Sequence, residues 1–279
     1  MTVFSPSIST TGIPALGSEA ATLLTRLDGV FSAAATQVGA VPMITPPLLP
    51  VDRLADLDYY QNFPHQAMVA TSLQLDGPGK DYQPSADGFA TQALEPARLA
   101  LPAAACYGVY LHLAGQSLES SMRVTVLGRC FRKEENYEEL RRLLGFHMRE
   151  VIAVGEQDFA EEHLREFTER LIAYAAKLDL PLTREAATDP FFDKGGSRAL
   201  LAKLAPVKYE FIYEGLAIAS VNTHRNFFGE RCDITLARSG SPVFTSCVAF
   251  GLERWLSALT QRHGSWEAAT HAVIAAGPL

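Results

Sequence analysis

A chain of 279 residues, 48% of them hydrophobic, has ample material for a sizeable core, as one large domain or two small ones. Its net charge of −7 argues against the broad basic face that grips nucleic acid, and apolar runs such as 99–109 are too short and interrupted to span a bilayer. No basic segment precedes an apolar stretch near the start, so a cytoplasmic protein is expected, whose four cysteines are free thiols or metal ligands rather than a disulfide framework.

Residues 1–17, rich in Ser, Thr, Pro and Gly, read as a loose lead-in, and 18–279 as a single domain. Ser18 followed by Ala20 to Ala35 predicts a capped amphipathic helix. Prolines between Pro42 and Pro50 break the chain before a segment at 51–60, which Asn62-Phe63-Pro64 ends. Residues 84–94 are small and polar, a surface connection. The apolar segment 99–113 follows, where Pro102 can open a helix that puts Cys106 in its first turn or two. Met122 to Glu134 alternates as a strand, 135–144 is a charged loop, and Gly145 to Val154 alternates again, which makes a hairpin with a long loop. Helical periodicity runs from Gln157 to Leu178, short strands are expected at 182–188, 207–213 and 216–222, and a strand from Pro242 to Ala249 passes through Gly251 into a helix from Leu252 to Arg262. Strands interleaved unevenly with helices predict an α+β fold, a mostly antiparallel sheet with helices against it.

Three places in this pattern carry chemistry. On the hairpin's second strand, Phe146, Met148, Glu150, Ile152 and Val154 share a face on which Glu150 is the lone polar residue. A carboxylate there needs a cation, a metal or a raised pKa, and an ordinary ion pair with Arg149 or Arg132 is the commoner solution. On the first strand, Cys130, Arg132 and Glu134 share a face. A planar guanidinium at Arg132 can bridge oxygens of a carboxylate and a phosphate, although Arg–x–Glu pairs are also common surface decoration. Near the end, Gly251 lets the backbone approach a ligand closely, and Arg254 falls in the first turn of the following helix. A cation faces the unfavourable end of the dipole there, and either an anion or plain solvation explains it.

Phe131-Arg132-Lys133-Glu134, the loop, and 145–155 (GFHMREVIAVG) together resemble motif 2 of class II aminoacyl-tRNA synthetases. SCVAFGLERW at 246–255 resembles motif 3, and 58–64 (DYYQNFP) resembles the end of motif 1, whose proline lies at a dimer interface. The resemblance covers roughly residues 50–265. It is strongest to the zinc-dependent, methanogen-type seryl-tRNA synthetases and to their truncated relatives, the amino acid:carrier-protein ligases.

That resemblance implies a class II synthetase catalytic core with a zinc ion held by Cys106, Glu150 and Cys247, its open fourth position taking the substrate's amino group. From the residues alone, Cys130 rivals Cys106, Cys232 reads as core and His147 as structural. By the same resemblance Arg132 holds the ATP α-phosphate together with the amino acid carboxylate, Arg254 holds the γ-phosphate, and Phe146 stacks on adenine. Glu134 orients substrate, Lys208 and Glu210 lie in the substrate-binding stretch, and Mg²⁺ assists with pyrophosphate. The synthetases carry an acidic metal-binding residue where 217–222 here has none. The implied activity is activation of glycine or alanine as the adenylate and transfer to the phosphopantetheine thiol of a holo carrier protein, by a homodimer. Lys194, Arg198 and Lys203 are the candidate docking surface. Two other readings stand beside it: a seryl-type enzyme charging tRNA, against which the acidic charge and the lack of a further sizeable domain count, and an inactive synthetase paralogue with a regulatory role.

Overall fold

The computed structural model describes residues 12–75, 82–187 and 206–279. In chain order these form α1 (Ser18–Gln37), β1 (Val41–Met43), β2 (Leu49–Pro50), α2 (Val51–Asp56), α3 (Tyr59–Asn62), β3 (Met68–Ala70), β4 (Leu99–Leu101), α4 (Cys106–Leu113), β5 (Ser117–Leu118) and β6 (Met122–Phe131). There follow β7 (Gly145–Gly155), α5 (Gln157–Lys177), β8 (Thr183–Ala187), β9 (Lys208–Tyr213), β10 (Leu216–Arg225), α6 (Phe227–Arg231), β11 (Thr235–Leu236), β12 (Phe244–Gly251), α7 (Leu252–His263) and α8 (Trp266–Ala276).

Seven strands make the main sheet, in the order β1-β6-β7-β12-β10-β9-β8. Only β1 and β6 pair in parallel there; the rest are antiparallel, as the alternating stretches predicted. One face is closed by α1, α5, α7 and α8. Leu23, Leu27, Phe31 and Ala34 form the buried stripe of α1, spaced by three or four residues, and Phe31 stacks on Phe250 at 4.1 Å and tilts against Trp255 at 5.3 Å. Full burial of each such large side chain is worth about 1.5–3 kcal/mol, so this face anchors the fold. The other face carries a second core built on α4, α6 and the inward residues Val124, Val126, Ile152 and Val154, and toward the ends of β7 and β12 it opens into a cleft.

Three local expectations shift. Gly17 stands at the cap of α1 without a side-chain bond, so Ser18 is the first helical residue rather than its cap. The helix expected from Pro102 starts at Cys106, because Pro102 uses its carbonyl to accept from the Phe131 backbone N–H (2.8 Å). Finally, α8 was not anticipated, although Ser265 caps it in the ordinary way, its side chain accepting from the Ala268 N–H (3.1 Å).

Candidate active site

Strand pairing brings the residues together. Register aligns Cys130 with Phe146, Gly128 with Met148 and Ala249 with Glu150, so the open ends of β6, β7 and β12 form the floor of a cleft of about 410 Å³. Cys106, Tyr107, Arg132, Glu134, Arg142, Phe146, Glu150, Lys208, Glu210, His224, Cys247 and Arg254 are among its lining residues. The start of α4 is pressed onto this floor: a Cβ on Gly128 would stand 2.5 Å from the Ala105 Cβ, so a side chain there would displace Cys106.

Cys106, Glu150 and Cys247 converge. Their donor atoms all lie within 4.8 Å of one another and all three residues are buried, Glu150 to 1% exposure. Arg149 does not serve Glu150: it leaves β7 on the opposite face, where Nε and Nη2 donate to the two Asp28 oxygens at 2.7 and 2.8 Å. Arg132 is turned to the Ala103 carbonyl by its Nε (3.1 Å) and lies over the Phe146 ring at 5.2 Å. Glu150 Oε1 accepts from the Ala105 backbone N–H (2.8 Å), while Oε2 is buried with no hydrogen-bond partner. Burial pushes the Glu150 carboxyl up; the bond to Cys247 and then burial push the Cys106 thiol well up. Two soft thiols and a carboxylate with an orphaned oxygen, which feels the Arg132 charge but forms no ion pair, fit a thiophilic divalent metal. Cys130, the rival ligand, lies in the core with a thiol pushed up by burial and outside the converging group.

Beside the triad the cleft is cationic in spite of the chain's acidic total. Arg254 donates from Nε to the Arg141 carbonyl (2.9 Å) and from Nη1 to the Ala217 carbonyl (3.0 Å), and burial followed by the Arg132 charge depresses its pKa. Two guanidinium groups held close enough to repel make a place that an anion would relieve. Across the cleft, Lys208 Nζ meets Glu210 Oε1 at 3.2 Å. Glu253 fixes the shelf under Phe146, accepting from the His147 backbone N–H (2.8 Å) and pairing with His147 Nδ1 (2.7 Å), which gives His147 the structural part expected of it. Pro64 is exposed, while Tyr59, Asn62 and Phe63 from the same stretch face the cleft. Lys194, Arg198 and Lys203 lie outside the described residues.

Sequence reasoning missed Arg142 and His224 in the cleft. Arg142 was hidden in a loop of mixed charges, and His224 continues the cleft face of Ser220 and Asn222 beyond the strand end expected at 222.

No family model matches the chain. It is 30% identical over 260 residues, 87% of this chain and 78% of the relative, to amino acid:acyl-carrier-protein ligase 1 of Bradyrhizobium diazoefficiens. To ligase 2 of that bacterium it is 33% identical over 237 residues, 78% of this chain and 69% of the relative. Among solved structures it superposes with a TM-score of 0.78 on the M. kandleri seryl-tRNA synthetase solved with A. aeolicus tRNASec, at 19% identity over 94% of this chain and 56% of that one. For the cytoplasmic serine-tRNA ligase of Naegleria fowleri with AMP, the TM-score is 0.72 at 12% identity over 98% and 57%. The chain thus spans little more than half of either solved structure, and these two likenesses establish the fold, the class II synthetase architecture. With the cleft set on that fold and the ligase relatives matched over most of both chains, the protein belongs to the amino acid:acyl-carrier-protein ligase family.

Proposed function

We propose that residues 18–279 act as one catalytic domain that activates glycine or alanine with ATP and transfers the aminoacyl group to the phosphopantetheine thiol of a holo carrier protein. The observation that carries this reading is the buried Cys106, Glu150 and Cys247 group opening onto a cleft lined by Arg132 and Arg254. Zinc bound by the triad supplies a Lewis acid with a place for the substrate's amine. Glycine or alanine is the substrate that the resemblance to the carrier-protein ligases supports. A methyl group is worth only about 1–3 kcal/mol of discrimination between those two.

The chain's own groups then do the positioning. Arg132, over Phe146 and next to the triad, spans the amino acid carboxylate and the α-phosphate; Arg254 meets the terminal phosphate; Phe146 offers its ring face to adenine. Attack by the carboxylate oxygen on the α-phosphorus forms the mixed anhydride and expels pyrophosphate, accompanied by Mg²⁺ that enters with the nucleotide. Bringing two anions together is the main electrostatic obstacle, and paired guanidinium groups lower it. Glu134 and the Lys208–Glu210 pair orient substrate at the rim. In the second step the carrier's thiol sulfur attacks the acyl carbon, a thioester forms and AMP leaves, the thiol proton passing to solvent.

We assign Lys194, Arg198 and Lys203 to the meeting with an acidic carrier protein. The sheet's edge strand β1 exposes Val41, with Ile44 beside it at 97% exposure, an apolar edge that supports the homodimer. Among the described residues no helix is long and apolar enough to cross a membrane, and four free cysteines suit a reducing cytoplasm. Amino-acid-dependent exchange of labelled pyrophosphate into ATP, followed by incubation with holo carrier protein or with tRNA, tests the reading. Exchange with glycine or alanine and label on the carrier is expected; label on tRNA overturns the acceptor, and no exchange with any amino acid overturns the activity.

A further inference from the structure

β10 does not run regularly into α6. Its pairing with β12 sets Thr223 against Ser246 and Arg225 against Thr245, which leaves His224 as an extra residue, and Arg225 follows it with φ of 53°. The period of two already puts His224 on the cleft face with Ser220 and Asn222, the latter opposite Cys247. The imidazole thus lies at the metal-binding end of the cleft, with Nε2 3.9 Å from the Cys247 sulfur. Nδ1 lies 3.2 Å from the Thr245 hydroxyl oxygen and 3.3 Å from that of Tyr110. Phe228 meets the ring edge to face at 4.9 Å and itself stacks on Tyr110 at 4.0 Å. A Cβ on Gly229 would fall 2.3 Å from the Val243 carbonyl oxygen, so that glycine lets α6 press Phe228 into place.

We propose that His224 is a positioning residue of the metal centre, its Nε2–H donating to the Cys247 thiolate while Tyr110 and Thr245 fix the ring's tautomer through Nδ1. This rests on the metal-binding reading above. The Tyr110 and Thr245 hydroxyls are hydrogen-bonded to each other, which uses one of their two protons and leaves the other for the single lone pair of Nδ1; the ring proton then sits on Nε2. A metal-bound thiolate keeps lone pairs that welcome a donor, whereas a bare ring nitrogen facing it would repel. His224 is not a ligand itself: among the described residues the converging donor group comprises Cys106, Glu150 and Cys247. An outer-shell donor fixes a ligand's orientation and tempers its basicity, and losing one costs about 10–100-fold in metal affinity.

The test compares the parent protein with His224→Phe, which keeps an aromatic ring against Phe228 but removes the donor. Zinc affinity is measured by competition with a chromophoric chelator, and the thiolate-to-metal charge-transfer band is recorded after cobalt substitution. The expected result is zinc binding weaker by about 10–100-fold in His224→Phe, with the cobalt band moved to longer wavelength because the sulfur has lost a stabilising donor. Equal affinity and an unmoved band overturn the proposal while leaving the metal centre intact. A parent protein that takes up no zinc overturns the centre and the proposal with it. Nitrogen-15 NMR of the zinc-loaded parent gives a reading that needs no variant: a proton on Nε2 of His224 is expected, and one on Nδ1 overturns the assignment even if His224→Phe does not fold.

Discussion

Arg149 and Glu150 are neighbours on β7, and their side chains leave the sheet into opposite surroundings. Arg149 enters the helix-covered face and meets both oxygens of Asp28, with Thr125 also at 3.3 Å, so its charge is matched within the protein. Glu150 enters the cleft face and keeps one oxygen without a partner beside two thiols. Burying an unmatched polar group costs stability, so a fold that matches one charge and leaves its neighbour incomplete has a use for the incompleteness. Under the proposed function the contrast separates a face built for stability from a face built for a ligand, and substitutions on each should have different consequences.

The largest effect is expected on the cleft face. Cys106→Ala, Cys247→Ala or Glu150→Ala should abolish zinc retention and lower amino-acid-dependent pyrophosphate exchange by more than the ~100-fold that loss of an outer-shell partner costs. Metal analysis and exchange rates on the same preparations check this. A variant that keeps both zinc and exchange breaks the contrast. Next comes the covered face. Asp28→Ala strands a buried guanidinium and should cost about 3–5 kcal/mol in denaturant unfolding, with the zinc content of the folded protein unchanged.

His163 sharpens the comparison from the same covered side. It is fully buried, its Nε2 donates to the Val151 carbonyl (3.0 Å), and burial lowers its pKa to about 4 from the ordinary 6.5. The unfolded chain therefore takes up a proton that the folded chain refuses. The stability this provides is complete above pH 6.5 and is lost as pH falls toward 4, by about 3 kcal/mol. His163→Gln should lack that loss, and urea midpoints of both proteins across this range measure the difference. The smallest effect is expected for Cys130→Ala, about 1 kcal/mol of stability from a small cavity, with zinc content and exchange retained.

How much of this was legible depended on the range of the interactions. The hairpin of β6 and β7 was readable because alternation is a local signal, and Glu150 stood out because a carboxylate interrupts an apolar face. The partner of Arg149 was not readable, since Asp28 lies 121 residues away on a different element, so of the two arginines offered as partners for Glu150 the adjacent one is engaged on the opposite face. Between Cys106 and Cys130 the residues alone left rivals and the motif resemblance chose Cys106, the thiol that groups with Glu150 and Cys247 in the structure. His224 lies on the cleft face of Ser220 and Asn222 and escaped notice because the strand runs to Arg225, three residues past its expected end. The Arg132 and Arg254 cleft was half legible, because the motifs pointed to the residues while net charge concealed how positive their shared surroundings are.

Anomalous diffraction from crystals of the protein, collected on either side of the zinc absorption edge, tests the central claim most directly. One peak bounded by the Cys106 sulfur, the Cys247 sulfur and a Glu150 oxygen, open on the side of Arg132, is the expected result. A zinc peak elsewhere, or none with the three side chains turned apart, would contradict it.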